Sequence, residues 1–233
     1  MAKSEPDDKE RPDHLGHRER LRERFLAGGA DALPDYEMLE LLLFMAQPRR
    51  DMKPIAKRLM QHFGSYAKVI SASPDELRAI DGVGDCLIDT LKIVRDAAVR
   101  LARQELTGRS VLTSWNDLID YCRATMGREP VEQFRIFFLD RKNALIKDEE
   151  QQRGTIDQTA VYPREVIKRA LELHASAIIM AHNHPSGDTT PSRGDIEMTR
   201  LVKEACEKIG IALHDHVIIS ARGETSFRAL GLL

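Results

Sequence analysis

The sequence predicts a fold in two parts, an all-α region with a helix-hairpin-helix and then an α/β (α+β) sandwich with a mixed sheet. Apolar residues recur at a helical period through residues 16–104. In residues 111–233, apolar and aromatic runs typical of strands alternate irregularly with helical segments. Periodicity is lost over residues 103–112, where we place the domain boundary. Residues 1–15 are charged and contain prolines, and we expect them to form a disordered tail.

Composition narrows the class of protein. The 233 residues include 35 basic and 37 acidic side chains, a net charge of −2, so no overall basic field favours nucleic acid. Three widely spaced cysteines without a C-x-x-C pair indicate a reducing compartment and argue against a disulfide framework or a thiolate zinc site. The polar N-terminus does not resemble a signal peptide, and the longest apolar runs (Leu41 to Ala46, Ala175 to Ala181) are too short to span a bilayer. We therefore expect a cytoplasmic protein without membrane contact.

The helical region begins with a charged segment and continues with more apolar ones. Residues 16–25 are helix-prone and carry four arginines, which either remain in solvent or contact phosphate. Residues 34–46 open with proline and acidic residues, as helices often do, and then become apolar on nearly all sides, as in a buried helix. Residues 53–63 show a helical period and predict a further helix.

A Gly-apolar-Gly turn follows between two further predicted helices. Ser73-Pro74 begins a short helix that ends near Ile80, and a long helix to Leu101 follows Gly82-Val83-Gly84. In a helix-hairpin-helix, such a turn exposes backbone N–H groups that can hold a phosphate. Three carboxylates beside this turn would repel one: Asp81, Asp85 and Asp89. Two interpretations stay open, structural packing and contact with DNA.

The second part opens with a helix and a predicted hairpin. Ser114 is expected to cap a helix that ends at Met126. The apolar and aromatic run from Phe134 to Asp140 predicts a buried strand, and a turn pairs it with a strand near residues 144–147. Residues 153–156 are a candidate third strand.

The remaining elements alternate between helix and strand. Pro163 begins a helix that extends to Leu173, and the apolar run at residues 175–181 predicts a buried strand. An amphipathic helix that ends at Ile209, a strand at residues 212–220 and a short strand at residues 226–228 are expected after it. The irregular order predicts mixed strand pairing.

Two histidines stand at the end of the buried strand. Side chains alternate between the faces of a strand, so His182 and His184 point one way and Asn183 points the other. A loop with proline and glycine leads to Ser192 and Asp195, in the first turn of the next helix. Two imidazoles and one carboxylate, with room for a water, are the ligand set of a catalytic zinc. Taken separately, the fragments are also explained by two ordinary histidines and a helix N-cap with an acid three residues later.

A second H-x-H pattern, His214-Asp215-His216, begins a later strand but has no loop with an acid after it. We expect Asp215 and His216 either to be structural or to orient the metal ligands without binding the metal themselves. We also expect Asn183 and Ser186 to shape the loop at the first pattern rather than to contact substrate.

Written as a pattern, the candidate site is H-x-H, seven residues, Ser, two residues, Asp. This resembles the JAMM motif of the MPN+ (JAB) metalloproteases at its full spacing. The chain after residue 15 also resembles the bacterial RadC family. Six segments carry that second resemblance: residues 16–21, 35–42, 162–165, 182–187, 215–216 and 226–233. It implies a helical N-terminal region with a helix-hairpin-helix and a C-terminal MPN (JAMM) domain.

The resemblance also implies roles for the residues of the site. One Zn²⁺ per chain would be bound by His182, His184 and Asp195. JAMM proteins have a glutamate base at the start of an earlier strand, and the matching residue is Glu132. Ser192 would hydrogen-bond the water or the oxyanion. Three other glutamates are less well placed as the base: Glu129, Glu149 and Glu150.

The implied activity is that of a zinc metallopeptidase or isopeptidase whose peptide or protein substrate the sequence does not identify. A different function stays open, because family naming links RadC proteins to DNA repair. In that case the helix-hairpin-helix would dock on DNA and the zinc domain would be an accessory. A third alternative is a structural zinc domain, which Glu132 and Ser192 disfavour because a scaffold needs neither residue.

Overall fold

The computed structural model of the protein describes residues 13–106, 108–153 and 161–233. The chain divides into two compact units, Met1–Asp96 and Ala97–Leu233. Residues 1–12 of the expected tail lie outside the described residues, as do residues 154–156 of the candidate third strand. The domain boundary expected at residues 103–112 stays a prediction. Within the described part of the chain, no helix is both long and apolar enough to cross a membrane.

The first unit is helical, as the sequence predicts. Its helices, in chain order, are α1 (Asp13–Gly28), α2 (Asp35–Ala46), α3 (Lys53–Phe63), α4 (Tyr66–Ser71), α5 (Pro74–Arg78) and the start of α6 (Asp85–Glu105). The apolar helix α2 is buried, with Leu39, Leu43 and Phe44 in the core of this unit. The sequence did not predict α4, because six residues are too few to show a helical period.

The glycine turn joins α5 to α6, as predicted. Gly82 has a φ of +87°, and a Cβ at this position would come within 2.9 Å of a nitrogen of Arg50. Arg50 donates to the Gly82 carbonyl at 3.2 Å, and Arg58 donates to the Asp81 carbonyl at 3.0 Å. Both guanidinium groups are thus bonded to the backbone of the turn itself. Contact between this turn and DNA stays a prediction.

A buried carboxylate links the first two helices. The side chain of Glu40 on α2 is completely buried, and its Oε1 lies 3.0 Å from Nε2 of His17 on α1. Burial raises the pKa of Glu40, and the neighbouring His17 only partly offsets this effect. Folding of this unit therefore disfavours the ionised form of Glu40.

Glu40→Gln should stabilise the protein at neutral pH. Because the folded-state pKa is raised, the stability that Glu40 contributes is fully present below its ordinary pKa of 4.5 and is lost as the pH rises through the raised value. Glutamine stays uncharged throughout. The variant's free energy of unfolding should exceed that of wild type by an amount that grows between pH 5 and pH 8, to on the order of 1 kcal/mol. Urea unfolding at several pH values measures this difference.

Glu23→Gln is the matched control, because Glu23 lies on α1 and is exposed. It should show no such pH-dependent difference. A Glu40→Gln variant that is less stable than wild type at pH 8 would mean that the folded protein favours the ionised carboxylate.

In the second unit, the described residues form a five-stranded mixed sheet between helical layers, as predicted. Its strands are β1 (Gln133–Leu139), β2 (Leu145–Arg153), β3 (Ala177–Asn183), β4 (Ala212–Ile219) and β5 (Glu224–Ser226), in the spatial order β2-β1-β3-β4-β5. Its helices after α6 are α7 (Trp115–Met126), α8 (Pro163–Glu172) and α9 (Arg193–Glu207). Strands β3 and β4 pair in parallel and are connected through α9, whereas the other pairs are antiparallel.

Two local predictions for this unit were inaccurate. Ser114 stands at the N-cap position of α7, but its hydroxyl donates to the Ser110 carbonyl at 3.1 Å and caps no helical N–H. The last strand lies at Glu224–Ser226, two residues before the predicted position, and residues 227–231 form turns.

Strand β3 is buried along its whole length, which explains its continuous apolar sequence. The even-numbered Ile178 and Met180 pack in the apolar cluster that includes residues of α8 and α9. The odd-numbered Ile179 and Ala181 pack in the cluster that includes residues of α7. This alternation directs the residues at the end of β3 to opposite layers of the sandwich.

Candidate metal centre

His182, His184 and Asp195 converge at the end of β3. Nε2 of His182 lies 3.0 Å from Nε2 of His184. Oδ1 of Asp195 lies 3.3 Å from the first nitrogen, and Oδ2 lies 3.6 Å from the second. A tetrahedral ion with ligands at about 2.0–2.1 Å spaces its donor atoms about 3.3–3.4 Å apart. The observed spacing fits one zinc ion. Among the described residues, this is the one group of three or more His, Cys, Asp or Glu side chains that could hold a metal.

The first turn of α9 orients the carboxylate. Ser192 Oγ accepts the backbone N–H of Asp195 at 3.1 Å, and Asp195 Oδ2 accepts the N–H of Ser192 at 2.8 Å. This reciprocal capping box was the ordinary explanation that the sequence offered for the pair. The cap and the cluster use the same carboxylate, because Oδ1 of Asp195 is the oxygen nearer to His182.

The loop after β3 orients His184. Its Nδ1 lies 2.7 Å from the carbonyl oxygen of Asp188. A carbonyl can only accept, so Nδ1 carries the hydrogen and Nε2 is the atom left for a metal. The loop returns to His184 through a turn at Gly187, whose φ of +88° favours glycine.

The electrostatics of the cluster favour a cation. Burial alone would raise the pKa of Asp195, but hydrogen bonds with His182 and His184 outweigh it and hold the pKa well below its usual range. The hydrogen bond with Asp195 raises the pKa of His184 against the opposing effect of burial, and the Asp188 carbonyl and the Glu132 charge add to the rise. A bare imidazole pair at 3.0 Å needs either a proton or a metal ion between its lone pairs. Metal binding must therefore displace a proton from this site.

Glu132 lies immediately before β1 and is half-buried. Its negative charge is one of the smaller contributions to the raised pKa of His184. The rival Glu149 lies on the edge strand β2, where Arg169 holds it at 2.6 and 2.8 Å and lowers its pKa to about 2. A carboxylate with so low a pKa is a poor proton acceptor. Glu150 pairs with Arg135 between β2 and β1 and lies 3.6 Å from its guanidinium group, and Glu129 is buried.

Asn183 holds the segment that carries Glu132. Its Oδ1 accepts the N–H of Gln133 at 2.7 Å, and its Nδ2 donates to the carbonyls of Val131 at 3.1 Å and Glu129 at 3.3 Å. We expected Asn183 to shape its own loop, and that prediction was wrong: it fastens a segment fifty residues earlier in the chain. A signal was available, because a polar residue on the fully buried face of a strand needs partners.

Further polar side chains lie behind His182. Nε2 of the completely buried His216 is 2.8 Å from His182 Nδ1, and its Nδ1 is 2.6 Å from Thr199 Oγ1. Asp215 accepts hydrogen bonds from the backbone of His216 and Arg228 and from the Ser226 hydroxyl. Sequence reasoning missed Thr199, although it lies four residues after Asp195 and hence on the same face of α9.

An α/β sandwich with this cluster between a strand end and a helix start defines the JAB (MPN) class of domains. Residues 112–232 match the family model of the RadC-like JAB domain, and residues 13–88 match that of the UPF0758 N-terminal domain. The chain belongs to the RadC family.

Two curated relatives match almost the whole chain. A UPF0758 protein of Rhodobacter capsulatus is 59% identical over 213 residues, which cover 91% of this chain and 100% of the relative. A UPF0758 protein of Ruegeria pomeroyi is 56% identical over 217 residues, which cover 93% of this chain and 97% of the relative. Neither name states an activity.

Asn183→Ala should destabilise the protein by about 2–4 kcal/mol, because it removes three hydrogen bonds at a buried position. Urea unfolding measures the change. Asn183→Asp should not restore stability, because aspartate keeps the acceptor for Gln133 but places a negative charge beside two carbonyl oxygens. Ser186→Ala, in the exposed loop nearby, is the control and should change stability by less than about 0.5 kcal/mol. Equal stability of Asn183→Ala and wild type would show that the hydrogen bonds of Asn183 do not contribute to the stability of the fold.

Proposed function

We propose that this protein is a zinc-dependent hydrolase that cleaves an amide bond in a peptide or isopeptide substrate. One zinc ion would be bound by His182, His184 and Asp195, with the fourth position open to water and substrate. The observation that carries the proposal is the convergence of two imidazole nitrogens, 3.0 Å apart, and one carboxylate, whose oxygens lie 3.3 and 3.6 Å from them, close enough for all three groups to bind one zinc ion. Membership in a family with a JAB domain supports the same chemistry.

Zinc, when bound, would polarise the scissile carbonyl and lower the pKa of a water at the site. The protein's own residues would move the protons. Glu132 would accept a proton from the water as the water oxygen bonds to the carbonyl carbon. Glu132 would then deliver that proton to the amine nitrogen as the C–N bond breaks, which returns the carboxylate to its starting state.

Ser192 would stabilise the negative charge that develops on the carbonyl oxygen. Its Oγ already accepts the backbone N–H of Asp195 at 3.1 Å. A hydroxyl that accepts one hydrogen bond still has its hydrogen to donate, so capping α9 and donating to an oxyanion are compatible. The exposure of Ser192 makes it accessible to a substrate.

Asn183 would support this reaction from the other side of β3. It holds the backbone on both sides of Glu132, through Val131 and Gln133. A proton acceptor must stand within hydrogen-bond reach of the water that it deprotonates, so its backbone has to be fixed. The strand that carries the metal ligands would thereby also position the base.

The purified protein should contain one zinc per chain. Removal of either a neutral imidazole or the carboxylate leaves two ligands, so His184→Ala and Asp195→Asn should retain little zinc. Inductively coupled plasma mass spectrometry after dialysis measures the content. His62→Ala, in the helical unit, is the control and should keep the wild-type content. Stoichiometric zinc in His184→Ala would contradict this ligand set.

Glu132→Gln should abolish hydrolysis and leave the zinc content unchanged, because glutamine has nearly the same shape but cannot accept the proton. Loss of a general base typically lowers the rate by about 10²–10⁴-fold. A panel of peptides and isopeptides tested with the zinc-loaded protein measures turnover. Glu150→Gln, on the edge strand, should retain activity. Full turnover by Glu132→Gln would show that Glu132 is not the general base.

A further inference from the structure

A series of buried hydrogen bonds runs from His182 back to the helix that carries Asp195. We call the side chains of His182, His216 and Thr199 the imidazole series. His182 Nδ1 and His216 Nε2 are 2.8 Å apart, and His216 Nδ1 and Thr199 Oγ1 are 2.6 Å apart. Thr199 Oγ1 is also 2.5 Å from the backbone carbonyl oxygen of Asp195. None of these contacts involves Nε2 of His182, the atom that faces the cluster.

The direction of the hydrogen bonds follows from the carbonyl at the end of the series. The carbonyl of Asp195 can only accept, so the single hydroxyl hydrogen of Thr199 is donated to it. Thr199 Oγ1 can then only accept from the imidazole of His216. Nδ1 of His216 must therefore carry a hydrogen.

The surroundings of His216 favour an uncharged ring. The side chain is completely buried, stacked on Phe227 with ring centroids 4.5 Å apart and packed against Phe134 at 5.5 Å. A charged ring is costly to bury among apolar groups without a carboxylate in contact. With its one hydrogen on Nδ1, a neutral His216 has a bare Nε2, which accepts from His182. Nδ1 of His182 then carries the hydrogen of that ring.

We propose that Thr199 and His216 are positioning residues that hold His182 as the Nδ1–H tautomer, with the lone pair of Nε2 directed at the metal site. That this site binds zinc rests on the proposed function, but the direction of the hydrogen bonds does not. His184 reaches the same tautomer by a shorter route, through the Asp188 carbonyl. Thr199 also links the ligands, because one hydroxyl touches the backbone of Asp195 and, through His216, fixes the ring of His182.

Thr199→Val tests the series because valine has the shape of threonine without the hydroxyl. It leaves Nδ1 of His216 without an acceptor. The tautomer of His216 with its hydrogen on Nε2 then becomes the more stable one, because that hydrogen can be donated to His182. His182 would then carry its own hydrogen on Nε2, where the metal should bind. Thr199→Ser keeps the hydroxyl and should keep the wild-type arrangement. A role in packing alone predicts no change of tautomer in either variant.

The tautomers can be measured directly in metal-free, ¹⁵N-histidine-labelled full-length protein at pH 8, by long-range ¹H–¹⁵N correlation spectra. Wild type and Thr199→Ser should show hydrogens on Nδ1 of both His182 and His216. Thr199→Val should lose the Nδ1–H form of His182. A wild-type spectrum in which Nδ1 of His182 carries no hydrogen would overturn the proposal, whether or not any variant folds.

Zinc affinity, measured by competition with a chromophoric chelator, gives the second readout. Supporting partners of metal-bound histidines typically contribute about 10–100-fold to affinity. Thr199→Val should weaken zinc binding by that factor, and Thr199→Ser should bind like wild type. Thr90→Val is the matched control: Thr90 donates to the carbonyl of Cys86 one helical turn earlier at 2.8 Å, but Cys86 is no metal ligand. It should leave the affinity unchanged.

The two readouts separate the failure of this proposal from the failure of the proposed function. Wild-type protein that binds no zinc, yet shows the expected tautomers, would support the imidazole series and contradict the zinc hydrolase. Thr199→Val with wild-type tautomers and wild-type zinc affinity would overturn the imidazole series while leaving the metal site in place.

Discussion

The burial of β3 on both faces is the constraint on which the candidate site depends. Because each side chain of a buried strand must find partners in the layer that it faces, the end of β3 contacts two layers at once. His182 continues the face of Ile178 and Met180, toward α9, and Asn183 continues the opposite face. One strand end therefore holds both a candidate metal-ligating imidazole and, through Asn183, the segment with the candidate base.

The parallel pairing of β3 with β4 places the side chain that hydrogen-bonds to Nδ1 of His182. In this register Met180 pairs with His216, so His216 lies on the same face as His182 and two residues along the strand from its partner Ile218. The α9 crossover that parallel strands require brings its own first turn beside the strand end. The capping box of Ser192 and Asp195 fixes that turn, and Thr199 follows one turn later against His216. The candidate metal ligands, the cap and the side chains that hydrogen-bond to His182 thus arise from a single β–α–β connection.

The sequence was sufficient for the parts of the site that are local in the chain. The spacing of His182, His184 and Asp195 spans one strand end and one helix start, and alternation and capping rules apply to each separately. It was insufficient for Asn183, whose partners lie about fifty residues away and depend on how α7 and β1 pack. The helical first unit and the mixed sheet were predictable from periodicity, whereas α4 and the position of β5 were not, because both are too short for a period to show.

The two imidazoles of the cluster differ in how they are held. His182 is almost completely buried, and two packed side chains separate it from the backbone that orients it. His184 is more exposed, and a carbonyl of the exposed loop at Asp188 orients it directly. Exposed loops open at a lower free energy than packed strands. The cluster therefore combines a candidate ligand that buried side chains orient with a candidate ligand that an exposed loop orients.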